Sequence, residues 1–112
     1  MIFVIRQPAT AEQVEQMKEF GGDYIKLAVD INREILAGGG ELHADCEEAL
    51  LEAGSQQVDV WGADWFFETH IVGFESMINI RPRQQNFNME IKDVTLRTNI
   101  ERVVRALFEV KP

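Results

Sequence analysis

The chain has 112 residues, of which 46% are hydrophobic and 27% charged, and its formal net charge is −8. That balance supports one folded core and excludes a disordered tail; no apolar run approaches the roughly 20 residues of a membrane-spanning helix. The charge is uneven, with 4 Lys/Arg against 13 Asp/Glu in residues 1–64 and 7 against 6 in residues 65–112. An acidic surface repels a phosphate backbone, which speaks against nucleic acid and favours a basic protein partner or self-association, solubility alone being the plainer reading.

Met1–Arg6 reads as a short apolar strand that Pro8 ends, since proline donates nothing to a ladder. Its opening lacks the basic start of a secretory signal, and the single Cys46 makes no internal disulfide, so a cytoplasmic location is expected. Thr10 then opens a helix, with Gln13 three residues on completing a capping box. Ala11, Val14 and Met17 share its inner face, and Gly21-Gly22 stop it.

Over Tyr24–Asn32 the residues Ile25, Leu27, Val29 and Ile31 alternate with Lys26, Ala28, Asp30 and Asn32, the period of a half-buried strand. A helix aligning Tyr24, Ala28, Ile31 and Ile35 is the alternative, disfavoured by the β-branched content. Asn32-Arg33-Glu34 is then the hairpin turn and Glu34–Gly38 the start of the returning strand. After Gly38-Gly39-Gly40, residues Glu41–Ala53 continue the strand and finish as a short helix ended by Gly54-Ser55.

Val58–Phe67 and Ile71–Arg81 read as two strands joined by Glu68-Thr69-His70. Trp61, Ala63, Trp65 and Phe67 share a face of the first, and Val72, Phe74, Ile78 and Ile80 a face of the second. Pro82 ends the pair, and Arg83–Met89 is an amide-rich loop. The last element is a helix capped by Asp93 or Thr95, with Leu96, Ile100, Val103, Val104, Leu107 and Phe108 at three- and four-residue steps. Together these predict a single α+β domain over residues 1–112: a largely antiparallel sheet with the N- and C-terminal helices packed on one face.

The stretch most like a site is Glu41-Leu42-His43-Ala44-Asp45-Cys46. If it is extended, Glu41, His43 and Asp45 project together, an imidazole between two carboxylates, suited to acid–base work or to a divalent metal. If it is helical, Glu41, Asp45 and Glu48 stack instead. A structural or solvated histidine is the plainer reading, because no second histidine stands at ligand spacing. Cys46 sits among acids, which raise a thiol's pKa, and fits a small buried hydrophobe better than a nucleophile. The three glycines lack the Lys-Ser or Lys-Thr of a phosphate loop and read as a bend or a close approach of backbone. Arg81 and Arg83 flank Pro82, either clamping an anion or neutralising the chain's own acidic half, the latter preferred.

Three stretches, Gly39–Asp45, Val60-Trp61-Gly62-Ala63 and Ile78-Asn79-Ile80-Arg81-Pro82, together resemble a family of short prokaryotic proteins classed only as a domain of unknown function. The resemblance runs from Tyr24 to the C-terminal helix and implies that Glu41, His43, Asp45, Trp61, Asn79 and Arg81 belong to a shared pattern. It departs at two loops: Glu34 stands where the pattern has glycine after the hairpin turn, and Gln85-Asn86 where it has Gly-Asn. The resemblance implies no activity. The expected function is a non-enzymatic binding or regulatory module, acting as a homodimer, with Glu41, His43, Asp45, Trp61, Asn79 and Arg81 as ligand-binding residues. No cofactor or metal is assigned. The alternative is a small hydrolase or metal-dependent enzyme using a Glu41/His43/Asp45 cluster.

Overall fold

A computed structural model describes residues 1–109. The alternation in the first half becomes two strands, β2 (Tyr24–Asp30) and β3 (Ile35–Gly38), joined as an antiparallel hairpin. Asp30 builds the turn, its Oδ1 accepting from the backbone N–H of Asn32 and of Arg33, each at 2.9 Å. Glu34 then takes a left-handed conformation (φ 57°), a position that suits glycine.

Around this hairpin the sheet has the order β1-β3-β2-β4-β5, with every neighbouring pair antiparallel. β1 (Phe3–Ile5) lies outside β3, β4 (Val60–Phe66) lies along β2, and β5 (Ile71–Gly73) lies outside β4. Only Ile5 of β1 is fully buried, because an outermost strand is covered on fewer sides than the continuous apolar run suggests. Helix α1 (Ala11–Met17) carries the anticipated capping box: Thr10 Oγ1 accepts from Gln13 N–H at 3.1 Å, and Gln13 Oε1 accepts from Thr10 N–H at 2.9 Å. Asp93 caps the C-terminal helix (Val94–Phe108) by accepting from Leu96 N–H.

One face of the sheet presents Ile25, Leu27, Val29, Leu36, Trp61, Ala63 and Trp65. α1 and the C-terminal helix both pack there, bringing Met17, Ile100, Val103, Val104, Leu107 and Phe108. Each large side chain so buried contributes about 1.5–3 kcal/mol before conformational entropy is subtracted. The fold is therefore α+β, with the terminal helices on one side as the periodicity predicts.

Two local expectations are corrected. Residues 41–53 do not continue the strand; His43–Glu52 is a helix, α2, packed on the opposite face through Cys46 and Leu50 against Ala28, Ala37 and Val60. Asp45 at its third position accepts from Leu42 N–H at 3.1 Å, so the helix is capped from inside its first turn, where Leu42 has no oxygen to offer. The C-terminal helix is accordingly α3. The glycines before α2 do mark a close approach: a Cβ on Gly39, whose φ is 99°, would lie 2.2 Å from Met1 O.

The strand expected over Ile71–Arg81 stops at Gly73. Ser76 Oγ accepts from Ile78 N–H at 3.3 Å, which turns Met77–Asn79 into a single 3₁₀ turn, and Ile80 ends exposed rather than in the core. The loop over Arg83–Met89 is pinned. Its Asn86 amide donates to Asn79 O at 2.8 Å and Asn88 O at 2.9 Å, and accepts from Lys92 N–H at 3.1 Å. Its start overlaps another 3₁₀ turn, Pro82–Gln84, closed by Gln85 at φ 61°. No helix among the described residues is long and apolar enough to cross a membrane.

Candidate functional site

Because α2 begins only at His43, it covers part of the second face and leaves the rest open. There β2 and β4 present Tyr24, Lys26, Asp64 and Phe66, with Lys26 opposite Asp64 and Tyr24 opposite Phe66 in the ladder. The first turn of α2 forms one bank through Leu42, His43 and Ala44, and residues 75–78 with Met89 form the other. The result is a cleft of 560 Å³, walled by Tyr24, Leu42, Phe66, Met77, Ile78 and Met89. The Tyr24 and Phe66 rings lie 5.1 Å apart, and Leu42, Met77 and Met89 are exposed. Large apolar side chains held open to solvent beside a few polar groups are the usual composition of a ligand site.

Its polar centre is a pair: His43 Nε2 lies 2.7 Å from Asp64 Oδ1, with both side chains largely buried. Asp64 was no part of the anticipated site. The signal was nonetheless present in the alternation of β4, which sends Trp61, Ala63 and Trp65 one way and leaves a carboxylate among Val60, Gly62 and Phe66 on the other. Lys26 holds the cleft rim with its Nζ donating to Glu41 O at 2.7 Å. Glu75 stands exposed on the opposite bank. Ser76 also lines the cleft, but its hydroxyl oxygen is turned to Ile78 N–H, and no hydrogen bond joins it to His43 among the described residues.

The six residues of the anticipated pocket do not assemble. Helical geometry separates Glu41, His43 and Asp45: Glu41 contributes only its carbonyl, Asp45 caps α2, and His43 alone lines the cleft. Trp61 is core on the far face. Asn79, fully buried, uses its amide on Gly62, accepting from Gly62 N–H at 2.8 Å and donating to Gly62 O at 3.0 Å. Arg81 is a structural tie. Its guanidinium lies 4.6 Å from the Trp61 ring, donates to Ile78 O and Gln57 O, and pairs with Glu47 at 3.1 Å. Burial pulls the Arg81 pKa below its ordinary value, while Glu47 acts in the opposite direction. Its neutralising partner is thus within the acidic half, though it is neither Glu41 nor Asp45.

The hydrolase alternative loses the cluster on which it rested, and among the described residues no three His, Cys, Asp or Glu side chains gather as a metal would need. Cys46 is fully buried, and its pKa is pushed up to about 11 by that burial and by Asp45, with the Gly40 backbone opposing. A thiol in that state is not a nucleophile near neutral pH. His70 sits in the β4–β5 turn at φ 60° with Nδ1 3.1 Å from Glu109 Oε2, away from the cleft lining. That contact, ahead of Arg105, lowers the Glu109 pKa.

Residues 3–107 match the family described as "Protein of unknown function (DUF5674)", and the chain belongs to that family. No curated protein and no solved structure matches it. The two loop departures from the resembled pattern now have a shape: Glu34 and Gln85, standing where that pattern has glycine, are both left-handed.

Proposed function

We propose that this member of the family is a binding module, and that its ligand is a small organic molecule with an apolar body and one polar end. The observation that supports this is the pairing of a buried His43–Asp64 contact with six apolar walls in one open cleft. The apolar body lies between Tyr24 and Phe66 on one side and Met77 and Met89 on the other. Flexible thioethers suit such walls, because methionine adapts its shape to what it covers. The polar end meets the His43–Asp64 pair, whose hydrogen bond fixes the ring and the carboxylate before any ligand arrives, so that little ordering remains for binding to supply.

A titration followed by amide and methyl NMR tests this, using neutral aryl and alkyl fragments that carry a single hydroxyl or amide. Binders are expected to shift Tyr24, His43, Phe66, Met77 and Met89 before anything else. Met77 is 74% exposed, so Met77→Ala is expected to change stability by no more than about 0.5 kcal/mol while weakening binding several-fold. Fragment shifts gathered at another surface, unaffected by Met77→Ala, would overturn the reading.

A further inference from the structure

The cleft is asymmetric in what its polar groups still lack. Asp64 is 7% exposed, and only its Oδ1 is engaged, by His43. Among the described residues Oδ2 has no hydrogen-bond partner, yet it is not sealed from solvent; the one sealed and unpartnered side-chain oxygen is Asp30 Oδ2. Glu75, on the opposite bank, likewise makes no side-chain hydrogen bond or ion pair among the described residues. Lys26 is the one cation of the lining; its ammonium donates to Glu41 O and, among the described residues, forms no ion pair with Asp64 or Glu75.

From this we infer that the polar end of the ligand is an organic cation, a primary ammonium or a guanidinium, received by Asp64 Oδ2 and flanked by Glu75. The inference rests on the binding reading above and adds the sign of the charge. A desolvated carboxylate with one oxygen unoccupied gains most from a charged donor, because such hydrogen bonds are shorter and stronger than neutral ones. With Oδ1 held by His43, the free oxygen lies on the β5 side of the carboxylate, where a Cβ on Gly73 would stand 3.3 Å from it, and Asp64 itself lines the cleft. The Tyr24 and Phe66 rings, adjacent on the same face, supply π-surfaces that favour a cation and are indifferent to a neutral head. The whole chain, at −8, attracts the same sign over longer range.

Three probes of one skeleton separate the possibilities: 2-phenylethylamine, 2-phenylethanol and 3-phenylpropanoate, each titrated into the protein at neutral pH. The amine is expected to bind the cleft about tenfold more tightly than the alcohol, the ratio a charge-assisted bond confers over a neutral one. Raising the salt concentration is expected to shrink that ratio by weakening only the amine. Asp64→Asn is expected to abolish the preference, leaving the amine no tighter than the alcohol titrated into the same variant. Glu75→Gln, at an exposed position that leaves the fold alone, is expected to reduce it in part. A carboxylate that binds as well as the amine, or an amine no better than the alcohol, overturns the cation and leaves the binding cleft standing. Three probes that all leave the cleft resonances unmoved overturn both.

Discussion

The two faces of this sheet are written by the same strands and do different work. Toward α1 and α3, β2 and β4 send Ile25, Leu27, Val29, Trp61, Ala63 and Trp65, and nearly all of that surface is withdrawn from water. Toward α2 they send Lys26, Ala28, Asp30, Val60, Gly62, Asp64 and Phe66, a row that mixes small, charged and aromatic residues. Small residues let α2 approach, so Cys46 and Leu50 seat on Ala28 and Val60. Where the row turns charged and aromatic no helix follows, and the cleft opens. The larger core lies on one face, and the cleft proposed for binding lies on the other.

The largest test of that division is Val104→Asp. Val104 is fully buried on the helix-covered face, and an uncompensated carboxylate there is expected to cost more than about 4 kcal/mol, enough to prevent folding. A soluble Val104→Asp protein with an unchanged melting curve would break the comparison. Arg102 on the wet side of the same helix pairs, among the described residues, only with exposed Glu34, and Arg102→Ala is expected to fold normally.

A second test acts on the α2 side through pH. Folding holds the Cys46 thiol protonated up to about 11, against an ordinary value of 9.0. Between those values the unfolded chain binds fewer protons than the native one, so stability falls as pH rises through that window. The loss amounts to about 2–3 kcal/mol and is complete once the pH passes the folded pKa. Denaturant melts of wild type and Cys46→Ala across pH 8–11 are expected to diverge on the alkaline side. Parallel profiles would show that the thiol gains no protection under α2.

Smaller again is Gly62→Ala. A Cβ there would lie 2.6 Å from Ser76 Cβ, so the 75–78 bank of the cleft must shift, at about 1–3 kcal/mol. Binding of the cleft fragments is expected to suffer more than stability, a contrast that sharpens the division between faces. The smallest effect has the opposite sign. Gln85→Gly relieves a left-handed glutamine and is expected to stabilise by about 0.5–1 kcal/mol in a chemical melt, if loop strain outweighs the added chain entropy. A destabilised Gln85→Gly would show that the entropy dominates.

What could be read from the sequence was whatever depends on neighbours along the chain. The Thr10–Gln13 box, the alternation from Ile25 to Val29 and the stripe from Leu96 to Phe108 are local, and each forms as its spacing predicts. The site was not local. His43 meets Asp64 across 21 residues, and no spacing rule links a helix's first turn to the middle of a strand. The choice between strand and helix at residues 41–46 decided which carboxylate the histidine would meet, and the fold resolved it through Asp45, which serves the helix and so is lost to the histidine. At Ile71–Arg81 the apolar pattern was real, but Ser76 and Asn79 held competing hydrogen bonds that bend the backbone away.

Asn79 has one more consequence. β5 pairs with β4 only at Asp64–Phe66, so the earlier part of β4 has an unoccupied flank, the sort of place where another molecule can add a strand and begin aggregation. The Asn79 amide carries a donor and an acceptor side by side, as a peptide group does, and it fills both sites of Gly62. A side chain thus completes the edge that the truncated strand leaves open. The bend at residues 76–79 therefore does two things at once: it withdraws the backbone to form a bank of the cleft, and it posts in the backbone's place an amide that takes up the donor and acceptor of Gly62, which an added strand would otherwise use.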